Sequence, residues 1–183
     1  YITTAERKID WQEIKKILPP NTPKPHDSLL SPASLVFKET SVSNLNDYSK
    51  WWSLIRNANW RQPFGPGSNI DDKENYPVVH ISWEDANEYC KWSGKRLPTE
   101  AEFEYASRGG KINNIYSWGN EKVDIGDLKA NIWEGEFPTK NNINDKFYYA
   151  SPIKSFKPNN YGIYDIAGNV WEWCFDWYHA NYY

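Results

Sequence analysis

The chain has 183 residues, a net charge of −3 and a mean hydropathy of −0.83. This length is typical of one domain with a substantial core. Lysine and arginine are spread without a basic cluster, which argues against binding to nucleic acid or an anionic membrane, and no apolar stretch approaches the roughly 20 residues of a spanning helix. Aromatic residues make up 17% of the chain, which predicts a core of wide rings whose polar groups need hydrogen-bond partners.

The N-terminal part predicts a helix followed by irregular structure. Asp10 and Glu13 have the spacing of a capping pair, and Pro19-Pro20 would end the helix. The predicted apolar face consists of Ile14, Ile17 and Leu18. The stretch up to Trp52 is rich in Pro, Ser and Asn and contains one strand candidate, 35–38.

Two helices are predicted in the middle of the chain. The run "PVVHIS" favours a short strand, after which Ser82 would cap a helix with Asp85 at its third position and Gly94 would end it. The face of this helix predicted to point inward carries Trp83, Ala86, Tyr89 and Cys90.

The second of these helices follows at once and carries its own capping signals. Thr99 and Glu102 form a capping box, and Glu104 and Arg108 an i,i+4 pair. Phe103 and Ala106 would face inward, and Gly109-Gly110 would end the helix. From residue 111 onward no run of helical length occurs, so the prediction is an α+β fold with long ordered loops, which usually need extra fastening.

Oxygen-rich side chains in these loops could provide that fastening through a metal. The segment "ANIWEGEFPTKNNINDKFYY" contains Asn131, Asn141, Asn142, Asn144 and Asp145, the hard ligands that calcium prefers. It is not an EF-hand, because the required Gly and Glu positions hold Phe147 and Ile153 when the count starts at Asn142. The alternative is an asparagine-rich surface turn.

Other polar residues have structural interpretations beside functional ones. Asp165 and Glu172 flank a Gly-Asn turn, where Asp165 could cap the turn and Glu172 could pair with a basic residue. His80, within the predicted strand, is interpreted as a structural histidine with its ring nitrogens satisfied. Cys90 and Cys174 are the two cysteines of the chain. They permit one disulfide or pairing outside this chain, so their redox state stays open.

Several long motifs, in order, resemble the formylglycine-generating enzyme family, also called sulfatase-modifying factors. The motifs are "HISWEDANEYCKWSGKRLPTEAEFEYASRGG", "YSWGNE", "ANIWEGEFP" and "NNYGIYDIAGNVWEWCFDWY", with "YITTAER" and "WWSLIRNANWRQPFGPGS" upstream. The resemblance implies an irregular, loop-rich α+β single domain related to the C-type lectin fold. It further implies that 1–183 is a partial domain truncated at both ends, with 8–50 a variable, insertion-like region and 51–183 the family core.

The resemblance turns the calcium hypothesis into two ligand sets. One ion would be held by Asn131, the Ile132 backbone, Asp145 and the Phe147 backbone. The other would be held by Asp165, the Gly168 and Val170 backbones, and Glu172. The resemblance also places Trp51 at the substrate groove, whereas the residues alone make it an ordinary core ring.

The activity that the resemblance implies is oxidation by molecular oxygen. The substrate is a cysteine in the Cys-x-Pro/Ala-x-Arg motif of an unfolded or nascent sulfatase, and the product is Cα-formylglycine. The family binds copper(I) through two cysteines C-terminal to the "NVWEW" motif, which agrees with the preference of soft thiolates for Cu(I). No catalytic residue is therefore expected in this chain, which alone should be inactive, and the enzyme is expected to be a monomer. The compartment stays open.

Two other functions remain open at this point. One is a non-catalytic protein-binding or carbohydrate-binding module of the same fold. The other is an ergothioneine-type sulfoxide synthase, whose iron ligands would come from a separate helical domain. No His-x3-His-x-Glu pattern occurs in the 183 residues.

Overall fold

The computed structural model describes residues 1–42, 44–123 and 126–181. These residues contain three helices, α1 (Trp11–Lys15), α2 (Trp83–Trp92) and α3 (Glu100–Arg108). They form four strands, β1 (Ala33–Phe37), β2 (Trp52–Arg56), β3 (Gly135–Glu136) and β4 (Lys140–Asn141). Single 3₁₀ turns lie at Thr4–Glu6, Asp27–Leu30 and Tyr48–Lys50. The prediction of a loop-rich α+β chain is confirmed.

The described residues group into two compact units. The first consists of 1–71 and 78–85, and the second of 72–77 and 86–183. The predicted division into 8–50 and 51–183 follows sequence similarity, so it and the single-domain interpretation stay predictions. These predicted ranges include residues 43, 124, 125, 182 and 183, which lie outside the described residues.

The first unit is built on the antiparallel β1–β2 hairpin. Its register pairs Ala33 with Arg56 and Phe37 with Trp52, whose rings meet edge to face at 5.9 Å. The strand predicted at 35–38 is confirmed, although it begins two residues earlier and ends at Phe37. Trp51, immediately before β2, is buried, with 6% of its surface exposed.

A buried carboxylate, Asp85, organises the polar contacts of the first unit. It accepts hydrogen bonds from the Thr4 amide at 3.0 Å, the Thr4 hydroxyl at 2.7 Å, the Tyr1 hydroxyl at 2.9 Å and the Ser82 amide at 3.0 Å. The Ser82 hydroxyl in turn accepts from the Asp85 amide at 3.2 Å, so the predicted capping pair at the start of α2 is confirmed. Burial opposes ionisation of Asp85, but the hydrogen bonds from Ser82, Thr4 and Tyr1 outweigh it and hold its pKa below the usual range.

The second unit contains α3 and a long irregular chain. Thr99 and Glu102 form the predicted capping box, and Gly109 ends the helix in the left-handed conformation at φ 55°. Distant residues complete both helix ends. The Asp176 carboxylate accepts a hydrogen bond from the backbone N–H of Glu100 at 2.7 Å, and the side-chain Nδ2 of Asn159 donates to the Ala106 carbonyl at 2.7 Å.

Three local predictions are wrong in part. The run "PVVHIS" forms no strand, because His80 adopts a left-handed φ of 58° that interrupts an extended chain. Tyr89 does not face inward; 64% of its surface is exposed, and its ring contacts that of Trp92 at 5.7 Å. Helix α1 ends at Lys15, before Ile17, which is 84% exposed, so the predicted apolar face is not buried as a whole.

We expect Asp85→Asn to lower the free energy of unfolding at pH 7 by about 2 kcal/mol, because hydrogen bonds to a charged acceptor are lost inside the protein. The folded pKa of Asp85 lies below the unfolded value of about 4. The stabilisation is therefore complete above about pH 4 and is lost as the pH falls through the folded pKa. Urea unfolding of wild type and variant from pH 7 to pH 3 measures the difference.

Glu84→Gln is the matched control, because Glu84 is exposed and lies next to Asp85 in α2. It should change stability little at any pH. A gap between wild type and Asp85→Asn that stays constant down to pH 3 would contradict the assigned role of the carboxylate.

Candidate functional site

Two asparagines join distant segments in the second unit. The Asn169 amide N–H donates to the Asn131 carbonyl at 2.8 Å, and Asn131 Nδ2 donates to Asn169 Oδ1 at 3.2 Å and to the Tyr149 carbonyl at 2.8 Å. Asn169 Oδ1 also accepts from the Ser151 amide at 2.8 Å, and Asn169 Nδ2 donates to the Ser151 carbonyl at 3.2 Å. Four residues that are up to 38 positions apart therefore share one hydrogen-bond network, called here the asparagine network (Asn131, Tyr149, Ser151 and Asn169).

A glycine next to the network allows this close approach. A Cβ atom on Gly168 would lie 2.4 Å from the Asn131 carbonyl oxygen, and the residue has a φ of 74°. Asn169 follows with a φ of 64°. Both the contact distance and the backbone conformation therefore require glycine at position 168.

The first predicted calcium set lies on the loop that leaves and returns to this network. Asn131 and Asp145 are both buried, with 7% and 4% of their surface exposed. Asp145 Oδ1 accepts from the Phe147 amide at 2.9 Å, whereas its buried Oδ2 has no hydrogen-bond partner among the described residues. Ile132 directly follows Asn131 in the chain. The loop returns to Asn131 at Tyr149, four residues after Asp145.

The other asparagines of this loop have structural roles. Asn141 Oδ1 accepts from the amides of Glu134 and Ile143, each at 3.2 Å, and the Asn142 amide donates to the Glu134 carbonyl at 2.6 Å. The Asn144 amide donates to the Glu134 carboxylate at 2.6 Å. These contacts hold the β3–β4 hairpin, so the asparagine-turn interpretation accounts for these three residues.

The second predicted set surrounds the Gly168-Asn169 turn. Asp165 has a φ of 55°; its Oδ2 accepts from the Lys154 amide at 2.7 Å, and its buried Oδ1 has no hydrogen-bond partner in the described part of the chain. Glu172 is exposed by accessible surface, but partial desolvation of its carboxyl, and then the negative charge of Asp165, raise its pKa. Within 1–42, 44–123 and 126–181, Glu172 forms no ion pair with a basic side chain, so the alternative interpretation of a basic partner is not met.

One residue of each set, Asn131 and Asp165, lines a cavity of about 230 Å³ that Asn169 also lines. Among the described residues, no three His, Cys, Asp or Glu side chains lie together as a metal cluster. The predicted sets contain at most two acidic side chains each and otherwise use amide and backbone oxygens. An ion bound there would therefore be one that accepts neutral oxygen ligands.

The remaining candidates lie elsewhere or have structural contacts. In the first unit, His80 Nδ1 lies 2.7 Å from the Ser34 hydroxyl and His80 Nε2 lies 2.8 Å from the Pro63 carbonyl, which confirms the structural interpretation. Cys90 and Cys174 are half-buried and form no disulfide with each other. Burial and the charges of nearby carboxylates raise the pKa of the Cys174 thiol.

Sequence reasoning missed Asn169 and Ser151. The "GN" pair indicated a turn, because asparagine tolerates a positive φ. Nothing in the spacing indicated that the Asn169 side chain would bond to residues 18 and 38 positions away.

We expect Gly168→Ala to destabilise the protein by at least about 2 kcal/mol more than Gly162→Ala, because only the former places a Cβ against a backbone oxygen. The two glycines have similar φ values of 74° and 76°, and a Cβ on Gly162 would have nothing within 4 Å. The backbone strain of the substitution therefore cancels in the comparison. Urea unfolding measures both variants, and equal destabilisation would contradict the close contact.

No helix within the described ranges has the length and apolar character needed to cross a membrane. Comparison with a solved structure finds PvdO from Pseudomonas aeruginosa, with a TM-score of 0.44 and 31% identity over 57% of this chain and 40% of that one.

Curated relatives match the chain over most of its length. The formylglycine-generating enzyme of Streptomyces coelicolor is 50% identical over 133 residues, covering 73% of this chain and 42% of that protein. The formylglycine-generating enzyme of Mycobacterium tuberculosis is 40% identical over 174 residues, covering 94% of this chain and 55% of that protein. A bovine protein named inactive C-alpha-formylglycine-generating enzyme 2 is 50% identical over 131 residues, covering 71% of this chain and 42% of that protein. The chain therefore spans about half, or less, of the length of these relatives.

The family model described as sulfatase-modifying factor enzyme 1-like domain matches residues 10–183. This match agrees with the resemblance carried by the motifs between His80 and Tyr178. Because the family model covers nearly the whole chain and the relatives are up to 50% identical over most of it, the chain belongs to the sulfatase-modifying factor family.

Proposed function

We propose that the intact protein is a formylglycine-generating oxidase and that this chain supplies its calcium-stabilised scaffold. The observation that carries the proposal is the 50% identity to the Streptomyces enzyme across 133 residues. The reaction would use molecular oxygen and a two-electron reductant, such as a thiol, to convert a cysteine in a Cys-x-Pro/Ala-x-Arg motif of a nascent or unfolded sulfatase to Cα-formylglycine, with the sulfur leaving as sulfide and the second oxygen atom as water. The protein would act as a monomer on an extended polypeptide, and the relation of its fold to C-type lectins belongs to the same proposal.

The calcium part of the proposal is supported by two buried carboxylate oxygens. Asp145 Oδ2 and Asp165 Oδ1 each lack a hydrogen-bond partner among the described residues, and leaving a buried carboxylate oxygen without one is costly. A calcium ion is a suitable partner, because it binds carboxylate, amide and backbone oxygens together. The residues that would hold the two ions are the two sets defined above, and the ions would fasten the 131–147 and 165–172 loops.

We assign neither cysteine of this chain to copper(I). Cys90 lies half-buried in α2, and Cys174 lies beside carboxylates whose charges, after burial, raise the pKa of its thiol. A thiol held in its protonated form is a poor metal ligand. The resemblance assigns copper to a pair of cysteines C-terminal to "NVWEW", so Cys90 and Cys174 are expected to serve the scaffold.

The proposed substrate contact at Trp51 is constrained by its burial. With 6% of its surface exposed, Trp51 offers little area to a ligand. A substrate peptide would therefore contact only a small part of Trp51.

We expect calcium at 100 times its dissociation constant to stabilise the protein by about 2.7 kcal/mol for each occupied site. Asp145→Ala should remove the calcium-dependent stabilisation that comes from the first site, because it deletes the only charged ligand of that set. Chemical denaturation with calcium and with chelator measures the change. Asp71→Ala, at an exposed aspartate of the first unit, is the control and should keep the full calcium response. Identical unfolding curves with calcium and chelator would refute the calcium proposal.

We expect the intact protein, loaded with copper under oxygen, to convert the cysteine of a Cys-x-Pro-x-Arg peptide to formylglycine, detected by mass spectrometry and aldehyde labelling. The 183-residue chain under the same conditions should leave the peptide unchanged. A peptide with serine in place of the cysteine is the control for labelling. Formylglycine formed by the 183-residue chain alone would contradict the assignment of catalysis to residues outside it.

A second candidate function is a non-catalytic member of the family that binds protein or carbohydrate. It is favoured by the 50% identity to the bovine protein whose name states that it is inactive. This candidate predicts an intact protein that folds and binds calcium but leaves the peptide unmodified at every copper concentration. The oxidation assay therefore separates the two candidates.

A further inference from the structure

We propose that Asn169 couples the two calcium sites, so that an ion at one raises the affinity of the other. The inference rests on the calcium part of the proposed function. Asn169 belongs to neither predicted ligand set, yet it contacts Asn131 of the first set and stands between Gly168 and Val170 of the second. It would act as a positioning residue for both sites.

The coupling depends first on the planar peptide group between Gly168 and Asn169. The Gly168 carbonyl, a predicted ligand, and the Asn169 N–H belong to the same rigid peptide unit and point in opposite directions. That N–H donates to the Asn131 carbonyl at 2.8 Å. The hydrogen bond therefore fixes the direction of the Gly168 carbonyl, and an ion that holds the carbonyl also strengthens the hydrogen bond.

The coupling depends also on the orientation of the Asn131 side chain. Its Nδ2 donates to Asn169 Oδ1 at 3.2 Å and to the Tyr149 carbonyl at 2.8 Å. These two bonds use the two donor positions of the amide and set its orientation, which directs Oδ1, the predicted calcium ligand, away from both acceptors. Order at Asn169 is thus transmitted to the ligand atom of the first site.

The same contacts explain why the first ion would favour the second. Gly168 and Asn169 have left-handed φ values of 74° and 64°, and the contacts with Asn131 and Ser151 hold this turn. An ion at either site would order the turn. The second ion would then bind tighter, because its binding would cause a smaller loss of conformational entropy. Couplings of this kind typically change affinity by about 5- to 150-fold.

Charge does not oppose this coupling strongly. The second set has two carboxylates, Asp165 and Glu172, which together neutralise a divalent cation. The first set has one, Asp145, and leaves a single positive charge. A neutral second site would repel the ion at the first site little.

The test is a calcium titration of the intact protein in which binding is measured by calorimetry and by tryptophan fluorescence. Wild type should titrate with a Hill coefficient above 1, and Glu172→Ala, which removes a ligand of the second set, should weaken binding at the first site by about 5- to 150-fold. Asn169→Gly removes the side-chain contacts but keeps the backbone hydrogen bond to Asn131, so in this background the same Glu172→Ala change should weaken the first site by a smaller factor than in wild type. Glycine is chosen because it adopts the positive φ of Asn169 without strain.

Two variants separate coupling from simple structural support. Asn113→Gly is the matched control, because Asn113 is exposed and has a similar φ of 62°; it should leave the effect of Glu172→Ala intact. If Asn169 had only a structural role, Asn169→Gly would weaken both sites but leave the effect of Glu172→Ala unchanged.

The outcomes distinguish this inference from the function on which it rests. Two calcium ions that bind wild type independently, with a Hill coefficient of 1 and no effect of Glu172→Ala on the first site, would overturn the coupling and leave the calcium proposal standing. Absence of any calcium binding by wild type would overturn both. The wild-type titration decides even if Asn169→Gly fails to fold.

Discussion

The hydrogen bonds between Asn131 and Asn169 are the interaction on which the second unit depends. From residue 111 to residue 181 its described residues form only the two short strands β3 and β4, so backbone groups there cannot rely on a ladder or a helix for their partners. Asparagine solves this problem, because one side chain both donates and accepts. Asn169 uses this property fully, with one backbone and three side-chain hydrogen bonds to Asn131 and Ser151.

This arrangement changes what the interior of the unit is made of. The buried positions include the polar residues Asn131, Asp145 and Ser151, beside the apolar residues Leu97, Ala130 and Pro138. A polar interior is stable only when its groups are satisfied, since each buried polar atom without a partner is costly. Two buried carboxylate oxygens, Asp145 Oδ2 and Asp165 Oδ1, remain without hydrogen-bond partners among the described residues, and the loops that carry them also carry motifs shared with the family.

Identity to this chain does not distinguish relatives named as enzymes from a relative named as inactive. Relatives named as enzymes and a relative named as inactive are each 50% identical to the chain over nearly the same length. Identity at that level reflects the residues that keep the loops in place, while activity depends on a few groups at one site. In this chain Cys90 and Cys174 are half-buried, and burial with nearby carboxylate charges raises the pKa of the Cys174 thiol.

The sequence by itself determined the local elements and the family. The capping pairs at Ser82 and Thr99, the stop at Gly109 and the strand near Val36 follow from short-range rules, because their partners lie within a few residues. Only the tertiary structure decided which polar groups meet across long separations. It placed His80 in a left-handed turn instead of a strand, left Tyr89 exposed, and brought Asn169 to Asn131 and Ser151. The physical reason is that a side chain in an irregular loop has no fixed period, so the direction in which it points is set by the segments folded against it.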